Sequence, residues 1–250
     1  MAKEQFFHSE SATLLKQLEH LSQRSSMSRG QAFEDWLTAM VCAMAGQTME
    51  DEYMAMIQSH TEGDKGIRGV DLMPQMFGQL VEAMEQTRAD ILGDLFQGAI
   101  TYGEAGQYLT PEPLCHLMAK LTGDEQKESE VVCDPCCGTG RMLLAYAEHR
   151  RPKALVGQDI DLRCVKITAI NLGLRNLYGY VLWGNSLASE CKRVYRTGFN
   201  IHGGVIRYAR PSELTDVLGS DSPPNDNRPP TNVTVLLAPD KKCETQLRLF

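Results

Sequence analysis

The sequence predicts an α/β fold in which a helical N-terminal half precedes an open sheet whose strands alternate with helices. Two patterns support this prediction: apolar residues recur at helical spacing over residues 1–100, and three short apolar runs after residue 130 each end in polar residues. Strands that alternate with helices form a parallel sheet, which binds ligands at the carboxyl ends of its strands. The ends of the three runs are therefore where a binding site is expected.

The N-terminal half is predicted to be helical from its capping residues as well as its periodicity. Ser28 and Gln31 form a capping-box pattern before an apolar stripe that ends at Gly46. Thr48 and Asp71 are further candidate helix starts. Stripes of Met and aromatic residues at this spacing are usually core, so we assign this half a packing and docking role rather than chemistry.

The most informative stretch runs from Val131 to Gly140: a short apolar strand, an acid and a glycine-bearing turn that opens into a helix. Glycine lets the backbone approach a ligand, and the free amides of a helix N-terminus face it. Asp134 at the strand end suits a cationic or hydroxyl-rich ligand and would repel a pyrophosphate. The dinucleotide fingerprint also fails, because Leu143 stands where its third glycine belongs. A small-molecule site is therefore favoured over a phosphate site.

The second and third apolar runs also end in polar side chains. Asp161 directly precedes a helical pattern and is most economically an N-cap. Asp159 lies 25 residues beyond Asp134, and an acid near this spacing binds ribose hydroxyls in nucleotide-binding folds. The third run, residues 181–183, is followed by Asn185, whose side-chain oxygen can accept a hydrogen bond.

These motifs resemble the cofactor-binding motifs of S-adenosylmethionine-dependent DNA methyltransferases that modify adenine at N6, especially the modification (M) subunits of type I restriction systems. The resemblance covers roughly residues 90–187 and follows the family's motif order. The matching stretches are Gln-Tyr-Leu-Thr-Pro (107–111), Asp-Pro-Cys-Cys-Gly-Thr-Gly (134–140), Val-Gly-Gln-Asp-Ile-Asp (156–161) and Gly-Asn-Ser-Leu (184–187).

The resemblance implies a Rossmann-like methyltransferase sheet and S-adenosylmethionine as the cofactor. It implies that Asp159 contacts the ribose, that Asn185 accepts from the adenine amine, and that Tyr108 and Thr110 touch the methionine end. The full set of implied cofactor-binding residues is Tyr108, Thr110, Asp134, Pro135, Gly138, Thr139, Gly140, Asp159, Ile160, Asn185 and Ser186.

The family's catalytic motif, N/D/S-P-P-Y/F, has no full counterpart in this sequence. In the family it ends the fourth strand, where acceptors hold the amine of a flipped adenine and an aromatic ring stacks on the base. The plausible fourth strand, residues 203–209, ends in Arg210-Pro211-Ser212, which supplies neither an amide nor an aromatic ring. The remaining catalytic candidates, Ser222, Pro223 and Pro224, lie in a polar, proline-rich stretch that is typical of a linker. We therefore expect an incomplete sheet.

The charge of the chain bears on its partners. A net charge of −7 is unusual for a chain that holds DNA alone, because phosphate affinity comes from clustered Lys and Arg. The candidate DNA contacts are Lys192, Arg193, Arg196, Arg207 and Arg210, although a run of charge is usually a solvated face. If DNA is the substrate, we expect another protein subunit to supply part of the DNA-binding surface. Whether the chain forms an oligomer stays open.

Cysteine usage and hydropathy indicate a cytoplasmic protein without a membrane span. The eight cysteines lie mostly inside apolar patterns, with no signal peptide and no run of about 18 apolar residues. The Cys133-x-x-Cys136-Cys137 pattern lacks a second ligand pair at zinc spacing, so no metal site is predicted.

Two domains are predicted: a helical region at residues 1–100 and an S-adenosylmethionine-binding methyltransferase-like domain at 101–250, with a flexible loop at 219–231. Three functions remain open. The first is a member of the adenine-N6 methyltransferase family whose missing catalytic groups come from a partner or from unrecognised residues. The second is a non-catalytic, cofactor-binding regulatory or decoy component of a restriction–modification or anti-restriction system. The third is a methyltransferase for a small molecule or protein. The isolated chain is predicted to be weakly active or inactive.

Overall fold

The computed structural model of the protein describes residues 6–101, 107–122, 131–150 and 152–219. The chain forms two compact units, residues 1–109 and 110–250. The loop predicted at 219–231 lies outside the described residues except for its first residue, which ends a helix. The catalytic candidates Ser222, Pro223 and Pro224 also lie outside them.

The described part of the first unit is built from helices. Phe33 stacks on Phe96 with ring centroids 5.9 Å apart and meets the edge of Trp36 at 6.3 Å, and all three side chains are buried. The apolar stripes of this half therefore form a packed core. The helices are α1 (Ser9–Arg24), α2 (Arg29–Ala45), α3 (Glu50–Ile57), α4 (Gly69–Thr87) and α5 (Ile91–Leu95).

The predicted helix starts are confirmed in one case and shifted in two. Ser28 caps α2, and its hydroxyl accepts a hydrogen bond from the Gln31 amide at 3.2 Å. Asp71 does not begin α4 but lies within its first turn, where its carboxylate accepts from the Arg68 amide at 3.1 Å. Thr48 lies in a short 3-10 turn that precedes α3. Asp71 stabilises the first turn of α4 from inside it, as an acceptor side chain can, whereas the Thr48 hydroxyl donates to the Ala45 carbonyl at 2.9 Å and does not cap α3.

The second unit contains a five-stranded sheet, which confirms the α/β prediction. Its strand order is β1-β2-β3-β4-β5, and the pairs β1·β2 and β2·β3 are parallel. The elements are α6 (Glu112–Thr122), β1 (Val131–Asp134), α7 (Arg141–His149), β2 (Ala154–Asp159), α8 (Leu162–Leu174), β3 (Gly179–Trp183), β4 (Arg193–Asn200), β5 (Gly203–Ala209) and α9 (Pro211–Gly219).

The sequence analysis missed β4 and wrongly took residues 203–209 as the fourth strand of a parallel sheet. Both β4 and β5 are antiparallel to their neighbours, and the pair Asn200↔Gly203 leaves a two-residue hairpin turn between them. The short connection from β3 to β4 leaves no room for the crossover that a parallel strand needs. Basic residues hid the alternation in β4 by making the strand look like a charged surface segment.

The strand directions place several predicted site residues on one edge of the sheet. Asp134 and Asp159 end the parallel strands β1 and β2. Because β4 is antiparallel to β3, its first residue, Arg193, pairs with the last residue of β3, Trp183. The hairpin therefore begins at this carboxyl edge and returns to it at Ala209.

Candidate functional site

Two carboxylates hold the glycine turn between β1 and α7. Asp134 accepts a hydrogen bond from the Cys136 amide at 3.1 Å. The two oxygens of Asp159 accept from the Gly138 amide at 2.9 Å and from the Asp161 amide at 2.9 Å. The end of β2 is thus tied to the turn that follows β1, and the first two motifs form one structural unit.

The turn itself depends on glycine. Gly138 has φ of 54° and Gly140 has φ of 85°, in the left-handed region that side chains disfavour. Helix α8 holds the turn from the other side. The Thr168 hydroxyl donates to the Gly138 carbonyl at 2.9 Å, and the side-chain amide of Asn171 donates to the Thr139 carbonyl at 3.0 Å. The turn is consequently held on both its amide and its carbonyl groups.

Thr168 and Asn171 were missed by the sequence analysis. Both are fully buried, and they interrupt the apolar pattern of α8, which is the signal that could have found them, since buried polar groups need partners. Arg141, directly after the turn, was also missed. Its buried side chain donates to the Thr110 carbonyl at 3.5 Å, which connects the Gln-Tyr-Leu-Thr-Pro stretch to the start of α7.

The electrostatics of the turn favour a ligand that brings positive charge or hydroxyl donors. Burial raises the pKa of Asp134, and the nearby charge of Asp159 raises it further. Burial likewise raises the pKa of Asp159, although its backbone hydrogen bonds act in the opposite direction. The ionised carboxylates are therefore less stable here than in water, and a ligand that satisfies them regains free energy.

Replacing Asp134 with Asn is expected to stabilise the ligand-free protein at pH 7 while weakening cofactor binding. A folded-state pKa raised above the unfolded value of about 3.9 gives a contribution to stability that is present at low pH and lost as the pH rises through the folded pKa. The advantage of Asp134→Asn should therefore grow as the pH rises from about 4 to 7. Urea unfolding across this range checks the result, with the exposed Asp216→Asn as control; a variant less stable at every pH would contradict it.

The third motif lies beside the second. The Gly184 amide donates to the Asp159 carbonyl at 3.0 Å. The Asn185 side-chain oxygen accepts from the Leu187 amide at 3.0 Å and from the Ala188 amide at 3.3 Å. It therefore stabilises the turn that it belongs to. Its assignment to the adenine amine stays a prediction, and so does the assignment of the neighbouring Ser186.

Other predicted cofactor residues differ in exposure. The Ile160 side chain is 63% exposed next to Asp159, and Tyr108 is 80% exposed. Thr139 is buried, whereas Pro135 is half-buried at the start of the turn. The exposed isoleucine gives this edge an apolar surface.

The basic residues predicted to contact DNA fall into two groups. Arg196 is buried and lies 3.8 Å from the Glu213 carboxylate, and Arg207 pairs with the same carboxylate at 2.7 Å. Burial disfavours the ionised Glu213, but hydrogen bonds from Arg207 and from the Arg210 amide outweigh it and lower the pKa of this carboxyl. These two arginines thus support the packing of α9 on the hairpin.

The second group lies at the carboxyl edge. The Arg193 guanidinium sits 4.9 Å from the ring centroid of Tyr208 and donates to its hydroxyl at 3.0 Å. Lys192 is exposed, with its Nζ 3.6 Å from the Glu190 carboxylate, and Arg210 is exposed directly after β5. Contact of either group with DNA stays a prediction.

The cysteines near the turn are free thiols. Burial raises the pKa of Cys133 to about 11, with a smaller contribution from Asp134. In the parts of the chain that the structure describes, no three His, Cys, Asp or Glu side chains are placed to bind a metal ion. Among the same residues, no helix combines the length and the apolar character needed to cross a membrane.

Comparison with known proteins finds similarity over part of the chain. Residues 87–200 match the family model described as N-6 DNA Methylase. The methylase subunit of the type I restriction enzyme MjaVIII from Methanocaldococcus jannaschii is 33% identical over 109 residues, covering 39% of this chain and 18% of that protein. The chain therefore spans less than a fifth of the length of this relative.

Two solved structures are similar at low sequence identity. A Listeria monocytogenes protein described as a class I S-adenosylmethionine-dependent methyltransferase has a TM-score of 0.45 and 15% identity, covering 77% of this chain and 60% of that one. A modification subunit of a type I restriction enzyme from Vibrio vulnificus has a TM-score of 0.41 and 14% identity, covering 74% and 58%.

Proposed function

We propose that this chain, whose residues 87–200 match the N-6 DNA methylase family, binds S-adenosylmethionine at the carboxyl edge of its sheet and works with another subunit on DNA. One observation supports the cofactor site above the others. The hydrogen bond from the Gly138 amide to Asp159 joins two motifs 21 residues apart into a single turn, as a shared ligand site requires.

The proposed cofactor orientation follows from the chemistry of the turn. The sulfonium and ammonium groups of S-adenosylmethionine are cationic, so its methionine end belongs near Asp134 and the glycine turn, where burial raises the pKa of the Asp134 carboxyl. The ribose hydroxyls are donors and belong at Asp159. Ile160 then offers its exposed side chain to the adenine ring. Tyr108, Thr110 and Asn185 keep the contacts implied by the family resemblance as part of this proposal.

The proposed role of a partner follows from the hairpin. The exocyclic amine of adenine is a poor nucleophile, so an enzyme must orient it against the methyl group with acceptors, and orientation alone can supply on the order of 7–11 kcal/mol. Strand β5 ends at Ala209 and Arg210 follows it; these two residues offer a guanidinium donor and no side-chain acceptor. We therefore infer that methyl transfer needs groups from another subunit or from residues that the sequence analysis did not recognise.

The same cofactor site would also serve a second function: a non-catalytic, cofactor-binding component that regulates a restriction–modification system. The two functions share the cofactor site and differ only in turnover. A chain that lost the catalytic acceptors but kept the turn intact would bind cofactor and partner subunits without transferring a methyl group.

Transfer of labelled methyl groups to DNA that lacks adenine methylation tests the proposal. We expect little transfer by the purified chain and clear transfer when the modification and specificity subunits of its own host are added. Binding of S-adenosylhomocysteine, measured by calorimetry, is expected in both cases. Binding without transfer under any combination would favour the regulatory function. No binding at all would reject the cofactor site.

The proline-rich linker provides the sharpest check on catalysis by the chain alone. Replacing Pro223 or Pro224 with Ala is expected to leave both cofactor binding and methyl transfer unchanged, because we interpret this stretch as a linker. Efficient adenine methylation by the purified chain that either substitution abolishes would contradict this interpretation and identify the stretch as the active site.

A further inference from the structure

The last residue of β3, Trp183, is connected to the Asp159–Asp161 turn by its side chain. Its indole Nε1 donates a hydrogen bond to the Ile160 carbonyl at 3.1 Å. In the β2·β3 register Trp183 lies opposite Asp159, and the next backbone amide, that of Gly184, donates to the Asp159 carbonyl at 3.0 Å. Two successive carbonyls of the turn are thus held by the end of β3.

The indole ring is itself held by the hairpin. The Lys192 amide donates to the Trp183 carbonyl at 2.7 Å, and the Lys192 ammonium lies 5.1 Å from the ring centroid. This is a cation–π distance. Lys192, at the start of the hairpin, therefore positions Trp183, and Trp183 in turn holds the turn that follows β2. This gives the hairpin, which the sequence analysis did not predict, a connection to the proposed cofactor site.

Ile160 shows why this connection matters. Its side chain is 63% exposed, so packing does not determine where it points. The turn is instead fixed by hydrogen bonds. The Asp159 carboxylate accepts from the Gly138 and Asp161 amides, and the Trp183 indole donates to the Ile160 carbonyl. Loss of the indole bond would remove this donor from the Ile160 carbonyl and loosen the turn at that peptide.

We propose that Trp183 is a positioning residue for the adenosine half of the cofactor, acting by holding the Ile160 carbonyl so that Asp159 and Ile160 face the ribose and adenine. This inference rests on the proposed binding of S-adenosylmethionine. The sequence pattern did not single out Trp183 because the residue forms the end of an apolar run and resembles core. In the structure it is only partly buried, and its polar atom has a defined partner.

The test uses Trp183→Phe, which keeps an aromatic ring near Lys192 and removes the N–H donor. We expect affinity for S-adenosylhomocysteine to fall about three- to tenfold, the range for loss of one neutral hydrogen bond. Affinity for 5′-methylthioadenosine, which lacks the amino-acid part, should fall by the same factor because the effect is confined to the adenosine half. Tyr208→Phe is the matched control, since it removes a polar group at the same sheet edge that bonds Arg193; its affinity should stay within about twofold of the wild type.

Tryptophan emission supplies a second readout that a purely structural role would not change. The chain has two tryptophans, and Trp36 is buried in the first unit. Saturating S-adenosylhomocysteine should shift the emission of the wild type and leave that of Trp183→Phe unchanged. Equal affinities of the wild type and Trp183→Phe would overturn the positioning role while leaving the cofactor site intact, and so would a wild-type spectrum that saturating ligand does not alter. Failure of the wild type to bind would overturn both proposals.

Discussion

Replacing Gly140 with Ala is expected to lower the free energy of unfolding by roughly 2–5 kcal/mol and to abolish measurable binding of S-adenosylhomocysteine. The left-handed backbone at φ of 85° disfavours any side chain by about 1–2 kcal/mol. A Cβ at this position would also lie 2.9 Å from Thr168 Cγ2, and such overpacking typically costs about 1–3 kcal/mol. A backbone that shifts to relieve the unfavourable φ or the overlap with Thr168 would move the turn away from Asp159.

The controls for this prediction separate its two causes. Gly78 lies exposed in α4 with open space around its Cα, so Gly78→Ala should stabilise the protein by roughly 0.5–1 kcal/mol. Adding Thr168→Ser to Gly140→Ala removes Cγ2, and with it the overlap, keeps the hydroxyl that donates to the Gly138 carbonyl, and leaves the backbone strain; it should restore part of the lost stability. Chemical denaturation and calorimetry measure both quantities. A Gly140→Ala protein with unchanged stability and affinity would show that the turn conformation is not required.

The parallel half of the sheet could be predicted because its signals are local. The apolar run before Asp134, the glycine turn and the N-cap at Asp161 each lie within a few residues of the structure they determine. The Asp161 cap is confirmed, since its carboxylate accepts from the Arg163 amide at 2.8 Å. Local hydrogen bonds of this kind leave a sequence signature that does not depend on the rest of the fold.

The antiparallel half could not be predicted because its determinants are distant in sequence. Arg196 lies in the middle of β4 and is buried, which a charged residue tolerates only with a partner. That partner, Glu213, arrives from α9, 17 residues later. A charge pattern read along the chain therefore indicates a solvated basic segment where the fold has a strand. The turn itself gives little signal, because its two residues, Ile201 and His202, are not the Asn-Gly or Asp-Gly pair that marks a two-residue hairpin.

The same limit applies to the site. The strand-end acids were found from their position, but the groups that hold the turn, Thr168 and Asn171, contact it from about 30 residues away, and Trp183 acts through a side-chain bond to Ile160. A single sequence shows which residues end strands. It does not show which side chains reach across the sheet edge.

Replacing Asp159 with Ala is expected to lower the affinity for S-adenosylhomocysteine at least tenfold. A hydrogen bond to an ionised carboxylate contributes about 1.5–3 kcal/mol, and 1.4 kcal/mol corresponds to a factor of ten. The substitution also leaves the Gly138 and Asp161 amides without the acceptor they have in the wild type, which loosens the turn that holds the methionine end. The stability of the free protein should change less than the affinity, because removing a carboxylate whose pKa is raised by burial offsets part of the lost bonding.

The ribose assignment can be isolated with the 2′-deoxy analogue of S-adenosylhomocysteine. The wild type should prefer the ribose form, whereas Asp159→Ala should bind both forms equally, because the preference arises from the bond that the variant lacks. Asp159→Asn keeps one acceptor oxygen and should fall between the two. If Asp159→Ala retained the full preference for the 2′-hydroxyl, another residue would bind the ribose, and the role of Asp159 would be limited to holding the glycine turn.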